Sequence, residues 1–533
     1  MKKNNLKLLA LLGLTLVLNS CTNDLSVLPK DDDIFTSENF FAQPGAYKQA
    51  LAGVYGNLSL TGTGGSGSSF LEGVDAGTSQ YSRCLWYLQD LPTDQAVWSY
   101  ENDAGIREIQ RNIWTASNPL LLGFFSRSMV EVSLVNEYLK QTTPEKLSSR
   151  GVTDAALLGE IQLYRKEARV LRALAYYQLM DLFGKAPFVT ENDPVNFAGP
   201  QYDRQQLFTF LESELKALIP DLKAPRTNEY GRVDQAVAKM ILAKMYLNAK
   251  VYIGANKYSE CATLCNEIIA GGYTLNAKYL NNFNADNNLS PELIFTLQSD
   301  GLVTQSFGAT TVIINGEVGN IEKNGVSLGV TTNGFSGAIR IRKQFAQKFD
   351  GPEFSTDKRN TIISGTRTIE INDIADRKQG YILAKYTNIS SMGVPGPNSR
   401  FVDTDFPLFR LADVYLMYAE CAVRGASGAT LPQAVTYVNA LRERANSGST
   451  SANIAAVNLT LDFILDERAR ELHWECNRRQ DLIRFDKYVE DTYNWAWKGN
   501  ALNGTALSNN LKLYPLPSAS ISANPNLTQN PGY

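Results

Sequence analysis

One histidine, His473, is present in 533 residues, so any Ser-His or Cys-His nucleophile pair would have to be built on it. It stands beside Trp474 in a run dense with charge, Asp466 to Arg484, where packing or hydrogen bonding is the ordinary use of a lone histidine. The same scarcity argues against zinc, and no Cys, His or carboxylate spacing reads as a metal site. Asp286, Asn288 and Asp300 lack the spacing of a calcium loop. With Cys21 set aside for the leader described below, Cys84, Cys261, Cys265, Cys421 and Cys476 form an odd set that makes no disulfide framework. Cys261 and Cys265 stand four apart on a helical pattern and read as small buried residues. A glycosidase needs only two carboxylates about 5–10 Å apart. The 54 acids supply many pairs by number, but no strand-ending acid pattern of a barrel accompanies them. The chain is therefore expected to be no enzyme and to carry no cofactor.

Binding chemistry is better represented. Between Tyr81 and Asp103 the aromatic residues Trp86, Tyr87, Trp98 and Tyr100 alternate with Arg83, Asp94, Asn102 and Asp103 around Pro92. No helix or strand period accounts for the mixture, and Pro92 favours an extended or turning path. Aromatic faces beside short polar groups suit a partner that is apolar on its faces and hydroxylated on its edges, as a sugar is. Phe307 and Phe335 also stand in loop-like sequence, where a large apolar side chain has little use unless it binds something. Trp495 and Trp497 are read as packing.

The elements that must hold these residues are mainly helical. Leu171–Gly184, Ile241–Gly254 and Leu411–Gly425 each mix small Ala with large Tyr, Leu and Met and then stop at Gly, the pattern of close-packed helices with left-handed caps. Each precedes a second amphipathic run: Leu207–Leu222, Tyr258–Ala270 and Leu431–Ala445. The first two begin 70 residues apart, about twice a ~34-residue tetratricopeptide period. Helix pairs stacked into a short right-handed superhelix are expected, with helices also over Phe41–Leu60 and Leu461–Phe485. In the last of these, Glu475 and Arg479 are spaced to pair. Thr61–Ser69 is glycine-rich without the Gly-Lys-Ser/Thr ending of a phosphate loop and reads as a flexible connector.

The fold class is thus mainly α, a tetratricopeptide-like helix-pair superhelix with an irregular loop-rich region containing short β-strands. The scaffold would comprise 41–290 and 407–533, and the loop-rich region 291–406, with β-rich Thr310–Ile314 as one of its strands.

At the N-terminus, Lys2, Lys3 and Lys7 precede the apolar run Leu8–Leu18, too short to span a bilayer and suited to a signal peptide over 1–20. Leu18-Asn19-Ser20-Cys21 reads as a lipobox that places a lipid on Cys21, with 21–40 as the lipid-anchored tether. The formal charge is −3, and loss of residues 1–20 removes three lysines and no acid, taking it to −6. Neither value gives an electrostatic reason to expect nucleic acid.

These residues resemble the SusD/RagB family of outer-membrane nutrient-binding lipoproteins. The resemblance is carried by the lipobox, Leu91-Pro-Thr-Asp94 with Trp98, Leu182-Phe-Gly-Lys-Ala-Pro-Phe188 and Tyr246–Tyr252. It continues through Asp405-Phe-Pro-Leu-Phe-Arg-Leu-Ala-Asp413, Arg468–Phe485 and the Asn-Pro-Gly-Tyr ending. It implies a non-catalytic protein on the outer face of the outer membrane that captures oligosaccharide for a SusC-like TonB-dependent transporter.

The match is closest to the starch-binding members. By that resemblance an aromatic arc falls on Trp98, Tyr100 and Phe335, Phe307 lies over the glycan, and Asp75, Arg83 and Asp103 are its polar partners. Starch binders look to have Trp at positions 100 and 335, Tyr at 307 and Asn at 103, so this chain loses stacking area and a donor. Trp98→Ala is expected to abolish binding. The same residues also fit a β-glucan or fructan ligand, or a transporter subunit with little glycan affinity of its own.

Overall fold

The computed structural model describes residues 36–194, 196–317, 328–331, 335 and 337–533. The signal peptide, Cys21 and the tether up to residue 35 lie outside the described residues. The chain is mainly α, and its longer helices form the framework. They are α1 (Ala46–Gly56), α2 (Tyr81–Gln89), α3 (Pro119–Gln141), α4 (Ala155–Phe183), α5 (Arg204–Leu218), α6 (Gln235–Leu247) and α7 (Tyr258–Ile269). In the second half are α8 (Ala309–Glu317), α9 (Leu411–Val423), α10 (Leu431–Ala445), α11 (Leu461–Leu472) and α12 (Arg478–Arg484). Helices pack in sequence: α3 on α4, α4 on α5, α6 on α7, α7 on α9, and α9 on both α10 and α11.

The local causes are legible in the caps. Asp154 opens α4 by accepting the Leu157 N–H at 2.7 Å, and Gly184 ends it with φ 72. Asp203 and Gln206 form a reciprocal capping box at α5. Inside the stack Ala168, Ala173, Ala175, Ala236, Ala243 and Ala412 are fully buried, letting neighbouring helices approach while Leu, Met and Tyr fill the gaps.

Strands are short and come in antiparallel pairs, of which two bear on the site: β1 (Ala96–Trp98) with β3 (Ile339–Ile341), and β2 (Leu293–Leu297) with β4 (Phe406–Arg410). The second pair closes the base of the loop-rich segment. A buried ion network anchors it there. Arg410 donates to Glu292 at 2.7 Å, Glu471 at 2.7 Å and Glu475 at 2.6 Å, while Arg359 donates to Glu467 at 2.7 Å. Pairing of this kind offsets much of the cost of taking charges out of water.

Several expectations need correction. The stretch 81–103 is not irregular throughout, for α2 and β1 occupy much of it. Every residue of α2 is buried, its polar Ser82, Arg83 and Gln89 included, so its polar side meets protein instead of solvent. Thr310–Ile314 is helical, inside α8, which is likewise buried on all sides. Phe41–Leu60 is not one helix: a helix over Ser37–Phe41 ends at its first residue, and α1 begins only at Ala46 after Gly45 at φ 77. The run ending at Gly254 breaks at Asn248 into α6 and Ala249–Ile253.

Leu461–Phe485 breaks between α11 and α12, where Trp474 and Cys476 take φ 61 and 59. There the backbone N–H of Trp474 donates to Gln95 Oε1 and that of Cys476 to Asp90 Oδ2, partners a continuous helix could not reach. Glu475 pairs with Arg410 and Lys385 instead of Arg479. The connector 61–69 is tied down: buried Arg127 donates to the carbonyls of Thr61 (2.9 Å) and Ser79 (3.1 Å) and to the Ser69 hydroxyl (2.9 Å). No helix among the described residues is long and apolar enough to cross a membrane.

Candidate functional site

Two packing events bring distant segments together. In the first, β1 pairs with β3 in the register Trp98↔Ile339, and the ladder continues as Ser99 N–H donates to Ala338 O at 2.8 Å. Ala338 N–H in turn donates to Phe335 O at 3.0 Å, and Phe335 lines the same depression as Trp98 and Tyr100. The free edge of β1 is satisfied by Gln110, whose side chain accepts from Trp98 N–H at 2.8 Å and donates to Trp98 O at 3.1 Å. In the second, α8 packs on α2. Its first N–H, from Ala309, donates to Ser82 Oγ at 3.1 Å, which sets Phe307 two residues earlier.

The result is a depression of about 360 Å³ into which Arg83, Trp98, Tyr100, Asp103, Phe307 and Phe335 converge. Gly77 and Arg400 complete its wall. Asp75 does not line it: Oδ1 accepts from the Thr78 hydroxyl at 2.8 Å, and its backbone oxygen accepts from the Ser79 hydroxyl, shaping the turn that presents Gly77.

The aromatic residues divide by exposure. Trp86 and Tyr87 are core, at 0% and 1% exposed. Trp98 is 2% exposed and offers the depression little of its indole. Its Nε1 donates to Asp103 Oδ2 at 3.0 Å, and its ring is inclined 57° to Tyr100 at 6.1 Å. Tyr100, Phe307 and Phe335 are half-buried and carry the accessible ring surface.

Arg83 donates from Nε to the Tyr87 hydroxyl at 2.9 Å and from Nη1 to Gly77 O at 2.5 Å. Burial pushes the Tyr87 hydroxyl pKa up, more than Arg83 beside it draws it down, which keeps a neutral acceptor there. Arg377 lies over the Tyr100 ring, 5.2 Å from its centre.

Other candidates turn out to be structural. Burial works against ionised Asp94, but its two bonds from Arg478, both 2.7 Å, hold its carboxyl below the usual range. His473 is buried, with Nδ1 3.0 Å from Arg470 O and its ring 5.1 Å from Phe345. Burial, then the cationic Lys385, drive its pKa well down, so the imidazole is neutral. Trp495 is fully buried, and Trp497 packs under Arg111 at 4.1 Å. The cysteines at 84, 261, 265, 421 and 476 are free and buried. Among the described residues no cluster of three or more His, Cys, Asp or Glu could hold a metal.

Sequence reasoning missed Gly77 and Arg400. The turn chemistry of Asp75-Ala-Gly-Thr-Ser79 was a usable signal for the first. An arginine in a loop carries none.

The depression therefore offers half-exposed ring faces, guanidinium donors and, among its described wall residues, one carboxylate. Such a set can stack and hydrogen-bond a hydroxylated ligand; two-carboxylate hydrolysis needs a second acid.

The fold and sequence have known counterparts. The SusD family model matches residues 244–533. Starch-binding protein SusD of Bacteroides thetaiotaomicron is 32% identical, over 96% of this chain and 96% of its own length. SusD-like protein P25 of Formosa agariphila is 27% identical over 68% of this chain and 71% of its own. Among solved structures, surface glycan-binding protein A from Bacteroides fluxus superposes with a TM-score of 0.70 at 18% identity, covering 92% of this chain and all of that one. Surface glycan-binding protein A from Bacteroides thetaiotaomicron, solved with laminarihexaose, gives 0.67 at 21% identity, covering 91% and 98%. With this helical fold, a matching family model and a relative alike from end to end, the chain belongs to the SusD family.

Proposed function

We propose that this protein is a non-catalytic, cell-surface lipoprotein that captures oligosaccharides of the starch (α-glucan) type and delivers them to a TonB-dependent outer-membrane transporter. In this reading Cys21 carries the lipid and residues 21–40 hold the body off the outer membrane, facing the cell exterior. The observation that carries it is the convergence of Arg83, Trp98, Tyr100, Asp103, Phe307 and Phe335, from three distant segments, on one depression. A second support is the end-to-end likeness to a relative named for starch binding.

Recognition works by shape. The half-buried rings of Tyr100 and Phe335 offer faces for the sugar. The buried indole of Trp98 backs Tyr100 at an inclination of 57°, setting the tilt of that ring toward a curving α-glucan. At roughly 25 cal/mol per Å² of apolar surface removed from water, each ring that covers ~40 Å² of sugar face contributes about 1 kcal/mol. Guanidinium and carboxylate groups at the edges then take up the hydroxyls. The buried neutral His473 and the single carboxylate among the described wall residues support binding over hydrolysis.

Calorimetric titration with maltoheptaose and, in parallel, laminarihexaose tests the ligand class. Heat with maltoheptaose and a weaker or absent response to laminarihexaose is the expected result. The reverse order removes the α-glucan assignment, and silence with every glycan leaves a transporter subunit with no affinity of its own.

A further inference from the structure

Arg400 occupies an unusual position on the wall of the depression. Its backbone is held at both ends: its N–H donates to Asn398 Oδ1 at 2.8 Å, and its C=O accepts from Asn315 Nδ2 in α8 at 2.9 Å. The preceding residue is held as well, since Ser399 O accepts from Thr331 N–H at 2.8 Å. From that fixed root the side chain lies on two rings, with Cζ 4.7 Å from the centre of Phe307 and 5.4 Å from that of Phe401. The rings themselves meet at 5.0 Å and 58°, so Phe307 is backed by Phe401 and overlaid by the guanidinium. Among the described residues no hydrogen bond or ion pair takes up the donors of that guanidinium, and Arg400 is solvent-exposed.

An arginine shelved on an aromatic ring is oriented without spending its N–H groups. Its edge still presents a planar fork of donors, whose spacing suits two oxygens side by side. Adjacent hydroxyls on a pyranose ring are such a pair. By contrast, Arg83 already spends Nε on Tyr87 and Nη1 on Gly77, so its role is partly structural.

We infer that Arg400 is a glycan-contact residue that donates to a pair of adjacent sugar hydroxyls, and that Phe307 is the positioning residue holding its guanidinium in place. This rests on the glycan-binding reading of the depression and changes the role expected of Phe307 within it. The ring acts through Arg400 instead of lying on the sugar.

A double-mutant cycle in maltoheptaose calorimetry tests it. Arg400→Ala should weaken binding by about tenfold or more, the scale of hydrogen bonds from a charged donor. Arg400→Lys should recover little of that, because an ammonium lacks the planar fork. Phe307→Leu should weaken wild type several-fold yet change the Arg400→Ala variant less than about twofold, while Phe307→Tyr, which keeps the ring, should bind like wild type. Arg400 is exposed, so its variants should keep the wild-type melting temperature.

Losses that multiply in the double variant would place Phe307 directly on the sugar and overturn the inference. Arg400→Ala that binds like wild type would overturn it too. Tyr100→Ala serves as the reference: if it loses binding while Arg400→Ala does not, only this inference fails. If Tyr100→Ala also binds like wild type, the reading of the site fails and this inference with it.

Discussion

Trp98 has two duties, and a substitution there acts on both. It is almost wholly buried between Tyr87 and Tyr100, so Trp98→Ala should leave a cavity costing about 3–5 kcal/mol, measurable by denaturant unfolding. Loss of binding in that variant would therefore report the fold as well as the site. Asp103 invites a cleaner exchange. Its Oδ2 accepts from the Trp98 indole, a task that an amide oxygen can take over, while the amide nitrogen adds a donor on the exposed side. Asp103→Asn should thus keep the wild-type stability and raise maltoheptaose affinity by about 2–10-fold in calorimetry, the range of one neutral hydrogen bond. At this scale the sequence marked the rings and Asp103, because aromatic and acidic types in loops are rare enough to stand out. It could not mark Arg400, one of many exposed arginines, whose meaning lies wholly in the ring beneath it.

Among the elements, α8 does more for the site than its length suggests. Gly316 faces β3 so closely that an added methyl would sit 2.9 Å from Ile339 Cδ1 and 3.2 Å from Trp98 Cζ3. Ile339 is fully buried and has no space to yield. Gly316→Ala should therefore cost about 1–3 kcal/mol in unfolding experiments and also weaken glycan binding, since it pushes on the strand pair that joins the two halves of the site. α8 did not announce itself in sequence: it is buried on every face and lacks the apolar–polar alternation by which α5 and α7 are recognised. α2 does alternate, with Ser82, Arg83 and Gln89 opposite Cys84, Leu85 and Leu88, but over nine residues only. The break between α11 and α12 was hidden for another reason. Its causes, Asp90 and Gln95, lie nearly four hundred residues earlier in the chain.

For the molecule as a whole, burial of ionisable groups sets a pH signature. Glu131 on α3 is fully buried, and burial pushes its pKa from the usual 4.5 up to about 8, against one hydrogen bond from Asn57 at 2.8 Å. A raised folded-state pKa means that its contribution is complete below the usual glutamate range and is lost as pH rises toward 8. Relative to wild type, Glu131→Gln should gain about 3 kcal/mol in unfolding free energy between pH 5 and pH 8; a difference that does not change with pH would refute this. Glu467 works in the opposite sense. Burial opposes its ionisation, but Arg359, Arg470 and Arg442 hold it down to about 2, so its contribution is lost only as pH falls below the usual range toward that value. The helical scaffold, with its Ala-rich interfaces and glycine stops, was legible at this scale. The closure of the site was not, because the pairing of β1 with β3 joins segments more than two hundred residues apart and leaves no local pattern.

The central claim is that this depression holds the glycan, and the accessible rings of Tyr100 and Phe335 test it most directly. Both are half-buried, so the double variant Tyr100→Ala/Phe335→Ala should keep the wild-type melting temperature within a few degrees. Calorimetric titration of wild type and this variant with maltoheptaose should give clear binding in the first and none in the second. Equal affinity in the two proteins would contradict the account.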